Sequence, residues 1–257
     1  MKVLAVGDLV GNIGLNKLKE VLPNLIEAEN IDFVIANVEN VAEGMGITSK
    51  DFDTLNNMQV NVMTMGNHTW GKKDIFSFAN HPKLLRPANY SKGVPGHGYG
   101  IYRCKEKNIA VISLIGRTGM NVLSENPFTV ADDIISEVKN EADIIIVDFH
   151  AEATAEKIAM KYYLDGKITA MFGTHTHVQT ADEEITENGM GYITDLGMTG
   201  PKKSVIGMDI DVSVKRFVTS LPERYKMATG KAMINGCVFE INDTTCKTEG
   251  IYRIFLD

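Results

Sequence analysis

The 257-residue chain is long enough to bury a sizeable core, and its 44% hydrophobic and 23% charged residues are typical of a globular protein. A net charge of -7 argues against non-specific binding to duplex DNA, because such binding needs a basic surface that displaces counterions. The three cysteines share no C-x-x-C spacing, the N-terminus lacks a signal-peptide pattern, and no apolar run reaches the roughly 18 residues of a membrane span. We therefore expect reduced thiols in a cytoplasmic protein that does not bind membranes.

The first third of the chain alternates buried strands with helices. Short apolar runs that end at polar residues predict strands over 3–6, 33–38 and 60–65. Apolar residues at helical spacing predict a helix over 15–28, and Thr48 with Asp51 can cap a second helix that ends near residue 58. A shorter helical piece is predicted over 73–79. This βαβαβ order predicts a parallel sheet with polar side chains at its strand ends, where the functional groups of open α/β sheets lie.

The rest of the chain predicts a β-hairpin, further βα units and two late strands. The hairpin joins strands over 101–103 and 109–114. Further strands are predicted over 144–149, 170–173, 191–194, 232–241 and 251–256, and further helices over 131–140, 154–164 and 213–220. Because the chain contains neither a linker nor a repeat, we expect one domain over 1–257, with a small cap within 198–229. The predicted fold class is α/β, with two packed mixed β-sheets flanked by helices.

Oxygen and nitrogen donors follow five of the predicted strands. They are Asp8, Glu39, Asn40, Asn67, His68, His150, His175 and His177. These side chains suit Mn, Fe or Zn, and the absence of cysteine among them argues against a structural zinc site. For any one of the histidines, a loop or core residue with a single hydrogen bond is the simpler interpretation. Their shared position at strand ends favours a metal site instead.

The segment His175-Thr176-His177 indicates that two ions share this site. In an extended segment the two imidazoles point to the same side, because side chains alternate with a period of two. Such residues can serve two ions about 3.5–4 Å apart when a carboxylate bridges them. Glu39 is the expected bridge.

The order of these motifs resembles that of the calcineurin-like metallophosphoesterases, and the match is closer to the bacterial YmdB-like phosphodiesterase branch. The motifs that carry the resemblance cover nearly the whole chain: Gly7-Asp8 and the segments 63–70, 86–89, 148–154, 173–182 and 193–201. The resemblance implies an α/β/β/α sandwich. Two positions depart from the superfamily pattern, because Val10 stands where a histidine is usual and Glu39 where an aspartate usually bridges the metals. The YmdB-like branch carries the same substitution pattern.

The resemblance implies two divalent or trivalent transition-metal ions, with Fe or Mn expected first and Zn or Mg as alternatives. It implies a first site formed by Asp8, Glu39, Asn40 and His177, in which Asn40 replaces the missing histidine. It implies a second site formed by Glu39, Asn67, His150 and His175. His68 would lie beside the metals and protonate the leaving alkoxide as general acid. The alternative role for His68 is a hydrogen bond that orients a ligand.

The resemblance also implies hydrolysis of cyclic nucleotides or RNA-derived 2′,3′-cyclic ends by attack of a metal-bridging hydroxide. Few cations lie near the motifs, which favours a diester over a doubly charged monoester; they are chiefly Lys72, Lys73, Arg86 and Arg117. We expect 2′,3′-cyclic nucleotides to be the best substrates, with 3′,5′-cyclic nucleotides poorer. Asn89, Thr118 and the loop after Gly197 are candidates for binding ribose or base. A homo-oligomer is also expected.

Other functions fit parts of the same sequence. The segment 66–72 has the spacing of a phosphate-binding loop, but Lys73 follows where magnesium coordination needs Ser or Thr, which excludes that interpretation. Two alternatives stay open: a nucleotide-binding signalling or scaffold protein with a weakly active metal site, and a phosphomonoesterase. The scaffold alternative predicts that a metal ligand is missing.

Overall fold

The computed structural model describes residues 1–257, and it places the βα units of the first third in one mixed sheet. In spatial order the strands of this sheet are β2 (Asp8–Leu9), β12 (Met198–Pro201), β13 (Ala232–Ile241), β1 (Lys2–Val6), β3 (Phe33–Asn37), β4 (Val62–Thr64) and β5 (Leu84–Leu85). β14 (Thr248–Leu256) pairs with β13 beside this path. β1, β3 and β4 run parallel, as the βαβαβ pattern predicts.

The N-terminal strand lies in the middle of this sheet. β1 pairs in parallel with β3 on one side and antiparallel with β13 on the other, where Lys2 lies opposite Glu240. The α-amino group of Met1 extends the pairing, because it donates to the carbonyl oxygen of Ile241 at 2.9 Å. The first and the penultimate strands of the chain are therefore neighbours.

The second sheet comes from the middle of the chain. In spatial order its strands are β10 (Glu184–Ile185), β11 (Gly191–Ile193), β9 (Ala170–Thr174), β8 (Ile144–His150), β7 (Lys107–Ile115) and β6 (Tyr99–Cys104). β6 and β7 form the predicted antiparallel hairpin, whereas β7, β8 and β9 run parallel. The carboxyl ends of β8 and β9 therefore lie at the same edge of this sheet.

The helices connect these strands. They are α1 (Gly11–Glu29), α2 (Ser49–Asn56), α3 (Pro127–Val138), α4 (Thr154–Leu164) and α5 (Ile210–Thr219), with a 3₁₀-helix over Lys73–Ser77. α2 has the predicted cap: Thr48 Oγ1 accepts from the backbone N–H of Asp51 at 3.3 Å, and the Asp51 carboxylate accepts from the backbone N–H of Thr48 at 3.2 Å. α3 begins earlier than predicted, because Asn126 caps it and Pro127 occupies its first turn. None of these helices combines the length and apolar content that a membrane crossing requires.

The apolar core forms three layers, one between the two sheets and one on the outer face of each sheet. Leu18 and Leu22 of α1 pack against the outer face of the first sheet. Phe33 and Phe172 belong to the layer between the two sheets. Met160 of α4 belongs to the layer on the outer face of the second sheet. This helix–sheet–sheet–helix order confirms the predicted fold class.

The segment 198–229 divides between the first sheet and a surface helix. Met198–Pro201 pairs with β2 and β13, so these residues belong to the sheet. α5 follows, and Ser213 is its only buried residue. A single domain over 1–257 and a cap role for this segment stay predictions.

Candidate metal centre

The predicted donors gather where the carboxyl ends of the two sheets meet. The first sheet contributes Asp8, Glu39, Asn40, Asn67 and His68, and the second contributes His150, His175 and His177. Because parallel strands carry their carboxyl ends to one edge, residues far apart in sequence can meet there. Asp8, Glu39 and His150 are fully buried.

His150 Nε2 is the atom on which the second predicted metal site converges. It lies 3.0 Å from Glu39 Oε1, 2.9 Å from Asn67 Oδ1 and 3.0 Å from His175 Nδ1. One donor atom each from Glu39, His150 and His175 lies within 4.8 Å of the other two. The structure therefore brings together all the residues predicted for this site.

Contacts on the other side of the imidazole fix the orientation of His150. Thr174 Oγ1 donates to Asp148 Oδ1 at 2.7 Å, so it accepts from His150 Nδ1 at 2.9 Å. Nε2 is then left to face Glu39. Gly66 is required beside the ring, because a Cβ at this position would lie 2.2 Å from His150 Cδ2. The glycine that follows β4 is therefore part of the site.

Asn40 lies among the donors of the first predicted site. Its Nδ2 is 3.1 Å from His177 Nε2, 3.5 Å from Asp8 Oδ1 and 3.4 Å from Glu39 Oε1. Its Oδ1 instead contacts His68 Nδ1 at 2.8 Å. Because the carbonyl oxygen is the metal-binding atom of an asparagine, Asn40 would have to rotate its amide by half a turn to act as a ligand.

The segment His175-Thr176-His177 is not extended, so that prediction is wrong. The φ angles of His175 and His177 are 101° and 65°, which lie in the left-handed region. Carboxylates of the site hold this conformation by accepting backbone N–H groups. His175 donates to Asp8 Oδ2 at 3.1 Å, and Thr176 donates to Asp195 Oδ2 at 3.2 Å. These bonds, rather than strand pleating, set the directions of the two imidazoles.

Burial and neighbouring charges set the protonation of the donors. Burial opposes ionisation of Glu39, but the charge and hydrogen bond of His150, with a contribution from His68, outweigh burial and lower the pKa of Glu39 to about 2. Burial likewise opposes protonation of His150, yet Glu39 and Asp8 raise its pKa to about 9. Burial and the charge of His150 lower the pKa of His175 to about 3. These shifts pair an ionised Glu39 with a protonated His150 beside a neutral His175, and a metal ion would have to displace the His150 proton to bind Nε2.

This donor set fits transition-metal ions. Carboxylates, neutral imidazoles and amide oxygens are the ligands that Mn, Fe and Zn take in proteins. Burial raises the pKa of Asp8, and a nearby cation would favour its ionised form. The residues present therefore suit the predicted metals.

A cavity of about 430 Å³ opens over the donors. Its polar lining comprises Glu39, Asn40, Glu43, His68, Glu152, His175, Thr176 and His177, without lysine or arginine. Met45, Ile206, Met208 and Tyr225 form its less polar wall. The backbone N–H of His68 donates to Glu39 Oε2 at 2.9 Å, which holds the imidazole at the side of the cavity. The lining thus combines polar groups with an apolar wall, as small-molecule sites do.

Comparison with known proteins identifies the family. The model of the YmdB-like protein family matches residues 4–254 of this chain. The chain belongs to the YmdB-like family. It is 45% identical over 258 residues to the 2′,3′-cyclic-nucleotide 2′-phosphodiesterase of Bacillus subtilis, with 100% of this chain and 97% of that protein covered. The resemblance carried by the sequence motifs is thereby confirmed.

Two solved structures share the fold of this YmdB-like protein. The crystal structure of a novel phosphatase from Mycoplasma pneumoniae has a TM-score of 0.94 at 36% identity, and the match covers 100% of this chain and 93% of that chain. A hypothetical protein from Thermus thermophilus has a TM-score of 0.93 at 33% identity, covering 99% of this chain and 98% of that chain. Both matches extend over the whole α/β/β/α arrangement.

Of the candidates for binding ribose or base in this YmdB-like protein, Asn89 and Thr118 do not line the cavity. Asn89 is fully buried, and its Nδ2 donates to the carbonyl oxygens of Ile115 and Glu125 at 2.8 and 3.0 Å. Its Oδ1 accepts from the backbone N–H of Ile115 at 2.9 Å, so the substrate role was wrong because the backbone uses the whole amide. Thr118 does not line the cavity, whereas the chain after Gly197 contributes Ile206 and Met208.

A buried ion pair behind the site of this YmdB-like protein was not predicted. Lys157 Nζ lies 2.7 Å from Asp195 Oδ2 and donates to the carbonyl oxygen of Thr174 at 2.9 Å, and both charged side chains are fully buried. Asp195 also accepts from the backbone N–H groups of Thr176 and Gly197, at 3.2 and 2.8 Å. The pair therefore ties α4 to the loop that carries the two histidines after β9.

Proposed function

We propose that this YmdB-like protein is a dinuclear-metal-dependent phosphodiesterase that hydrolyses cyclic nucleotides, 2′,3′-cyclic phosphodiesters above all. The observation that carries the proposal is the convergence of Glu39, His150 and His175 donor atoms within 4.8 Å, beside an open cavity. The name of the Bacillus subtilis relative supports the same substrate class.

Two groups of side chains are proposed to hold the two metal ions. The first group is Asp8, Glu39, Asn40 and His177, and the second is Glu39, Asn67, His150 and His175. Glu39 belongs to both groups because its Oε1 lies 3.0 Å from His150 Nε2 and 3.4 Å from Asn40 Nδ2. When bound, such ions activate water for attack on phosphorus and offset the charge of the phosphate oxygens. Fe or Mn is the proposed metal.

His68 is proposed to supply the proton that the leaving oxygen needs. Its Nδ1 contacts Asn40 Oδ1 at 2.8 Å and its backbone N–H donates to Glu39 Oε2 at 2.9 Å, so both the ring and the main chain are held. Nε2 is then the ring atom left to transfer a proton.

The charge of the cavity supports a diester substrate. A phosphomonoester carries up to two negative charges, and a site for it commonly adds cations beside the metals. None of Lys72, Lys73, Arg86 or Arg117 lines the cavity, which instead carries several carboxylates. We infer that 2′,3′-cyclic nucleotides are the best substrates and that 3′,5′-cyclic nucleotides are poorer ones.

Metal analysis and a substrate panel test the proposal together. Protein purified without chelator should contain about two transition-metal ions per chain, as two-metal hydrolases do, and should hydrolyse 2′,3′-cyclic nucleotides and bis-nitrophenyl phosphate faster than nitrophenyl phosphate. Glu39→Gln keeps the shape of the side chain but removes the shared anion, so it should lose metal and activity with an unchanged circular dichroism spectrum. Full activity without bound metal, or faster hydrolysis of the monoester than of any diester, would overturn the proposal.

A homo-oligomer is the proposed state of the protein. The support is the exposed apolar face of α5, on which Val214, Phe217 and Val218 are 50%, 80% and 78% exposed. A cytoplasmic location stays a prediction. The scaffold alternative requires a missing ligand, and the convergence of Glu39, His150 and His175 supports hydrolysis over it.

A further inference from the structure

A second cavity, of about 620 Å³, lies next to the metal cavity. His177 and Ile206 line both cavities. The two residues are held together, because His177 Nδ1 contacts the carbonyl oxygen of Ile206 at 2.9 Å. The two cavities are therefore adjacent and share these two residues in their walls.

The walls of the second cavity combine apolar surface with positive charge. Val178 and Phe255 line it and are 60% and 55% exposed. Exposed aromatic rings of this kind stack on nucleobases of any identity. Lys202 and Arg253 also line this cavity, whereas the metal cavity has no lysine or arginine in its lining. The two cavities thus differ in the chemistry that they offer.

Each cation of the second cavity is partly balanced by an acidic partner. Lys202 Nζ pairs with the Asp257 side chain, and Arg253 Nε lies 2.8 Å from Glu183 Oε1. These pairs hold the cations in place and reduce the net positive charge. A group with a single negative charge, such as a phosphodiester linkage, suits this balance better than a multiply charged phosphate does.

Asn235 lines the second cavity but is only 2% exposed, and its Oδ1 has no hydrogen-bond partner within the protein. This oxygen is itself shielded from solvent, so a ligand in the cavity does not reach it. The groups available to a ligand are the exposed ring of Phe255 and the side chains of Lys202 and Arg253.

We propose that the second cavity binds the nucleotide that precedes the 2′,3′-cyclic terminal nucleotide of an oligoribonucleotide. This inference rests on the proposed function, which places the cyclic phosphate at the metal-binding groups. The preceding base stacks on Phe255, and its phosphodiester linkage lies near Lys202 and Arg253. The preferred substrate is then an RNA 3′ end rather than a free cyclic mononucleotide.

The test compares a 2′,3′-cyclic mononucleotide with a dinucleotide that ends in a 2′,3′-cyclic phosphate, on the metal-loaded protein. We expect kcat/KM to be about tenfold higher for the dinucleotide, which lies within the contribution of one stacked base. Phe255→Ala should remove most of this preference. Tyr162→Ala is the matched control, because Tyr162 is an aromatic residue that is 72% exposed on α4, and this variant should keep the preference. Arg253→Gln, which removes charge without touching Phe255, should reduce both the preference and its salt dependence.

Equal kcat/KM for the two substrates, or a preference that survives both Phe255→Ala and Arg253→Gln, would overturn the subsite. A binding measurement with a dinucleotide 3′-phosphate, which needs no turnover, separates this outcome from a failure of the proposed function. If neither cyclic substrate is hydrolysed but Phe255→Ala weakens binding and Tyr162→Ala does not, the proposed reaction is wrong and the subsite is supported. If Phe255→Ala and Tyr162→Ala bind the dinucleotide equally well, the subsite is wrong.

Discussion

Asn40 serves two parts of the site with one side chain. Its Nδ2 lies 3.1 Å from His177 Nε2, and its Oδ1 lies 2.8 Å from His68 Nδ1. A half-turn of the amide would exchange these atoms, so that an oxygen faces His177 and an N–H group faces His68. His68 Nδ1 would then accept a hydrogen bond instead of donating one. The proposed first metal site and the proton distribution on the proposed acid are thus coupled through a single residue.

Replacement of His68 separates the proposed acid from the metal-binding groups. His68→Ala should keep the wild-type metal content, because the imidazole contacts Asn40 at the side of the cavity and is not among the proposed ligands. The value of kcat should fall about 10²–10⁴-fold, the usual contribution of a general acid. The decrease should be smaller for diesters with a nitrophenolate leaving group, which needs little protonation. Metal analysis is the control, and loss of metal from the variant would make His68 a ligand.

The gathering of the candidate donors could be predicted from the sequence, but their conformations could not. Donors at strand ends are visible in one dimension, because a short apolar run followed by Asp, Glu, Asn or His is a local pattern. The positive φ angles of His175 and His177 depend on hydrogen bonds to Asp8 and Asp195, and no local pattern shows those partners. The amide of Asn89 was misjudged for the same reason, since its partners are backbone groups of other segments.

At the scale of elements, α4 places the charged side chain of Lys157 in the protein interior. Lys157 lies on the buried face of α4 together with Met160 and Leu164, at positions i, i+3 and i+7. Helical periodicity alone therefore predicts that position 157 is buried. Its partner Asp195 lies 38 residues later in the chain, so the pairing itself is a result of the fold.

Removal of this cation should destabilise the protein strongly. Lys157→Met leaves Asp195 buried without its partner, which typically costs about 3–5 kcal/mol of unfolding free energy. Lys161→Met is the comparison on the same helix: Lys161 is also largely buried, but its partner Glu184 has a side chain that is 47% exposed and stays solvated after the substitution, so the loss should be smaller. Denaturant unfolding measures the unfolding free energy of both variants. Equal changes in the two variants would contradict a structural role for the buried pair.

Two long elements have their predicted bounds, whereas the start of the longest helix and some short strands were not predicted. α4 and β13 have the predicted ends, because each has a long run with one periodicity. β12 was missed, because four residues that include glycine and proline carry little strand signal. α1 begins at Gly11 rather than residue 15, and a Cβ on Gly14 would lie 2.1 Å from the carbonyl oxygen of Thr199. This close approach of α1 to β12 is a tertiary contact that hydrophobic periodicity does not reveal.

At the scale of the whole molecule, α5 leaves an apolar face uncovered. Phe217 and Val218 are about four-fifths exposed, at 80% and 78%, and Ser213 is the only buried residue of the helix. Apolar surface of this kind is typical of protein interfaces, and most oligomers of a single chain are symmetric. We therefore expect α5 to contribute to an interface between copies.

Light scattering of the purified protein tests this expectation. The wild-type protein should have at least about twice the mass of one chain, as symmetric oligomers do, and Phe217→Asp should lower that mass because it places a charge in the interface. Leu123→Asp is the control, since Leu123 is 93% exposed and lies outside α5. A wild-type mass equal to one chain would contradict the oligomer, and an unchanged mass in Phe217→Asp would place the interface elsewhere.

The first strand of the chain pairs with one of the last. β1 lies between β3 and β13, and Lys2 is opposite Glu240. A ribosome that adds about 5–20 residues per second needs on the order of 10–50 s to synthesise the chain from β1 to β13. During that time one edge of β1 has no neighbour, and unpaired strand edges are where chains associate wrongly. A nascent chain stays open to aggregation until its C-terminal hairpin emerges, and a chain truncated before residue 232 would keep that edge open permanently.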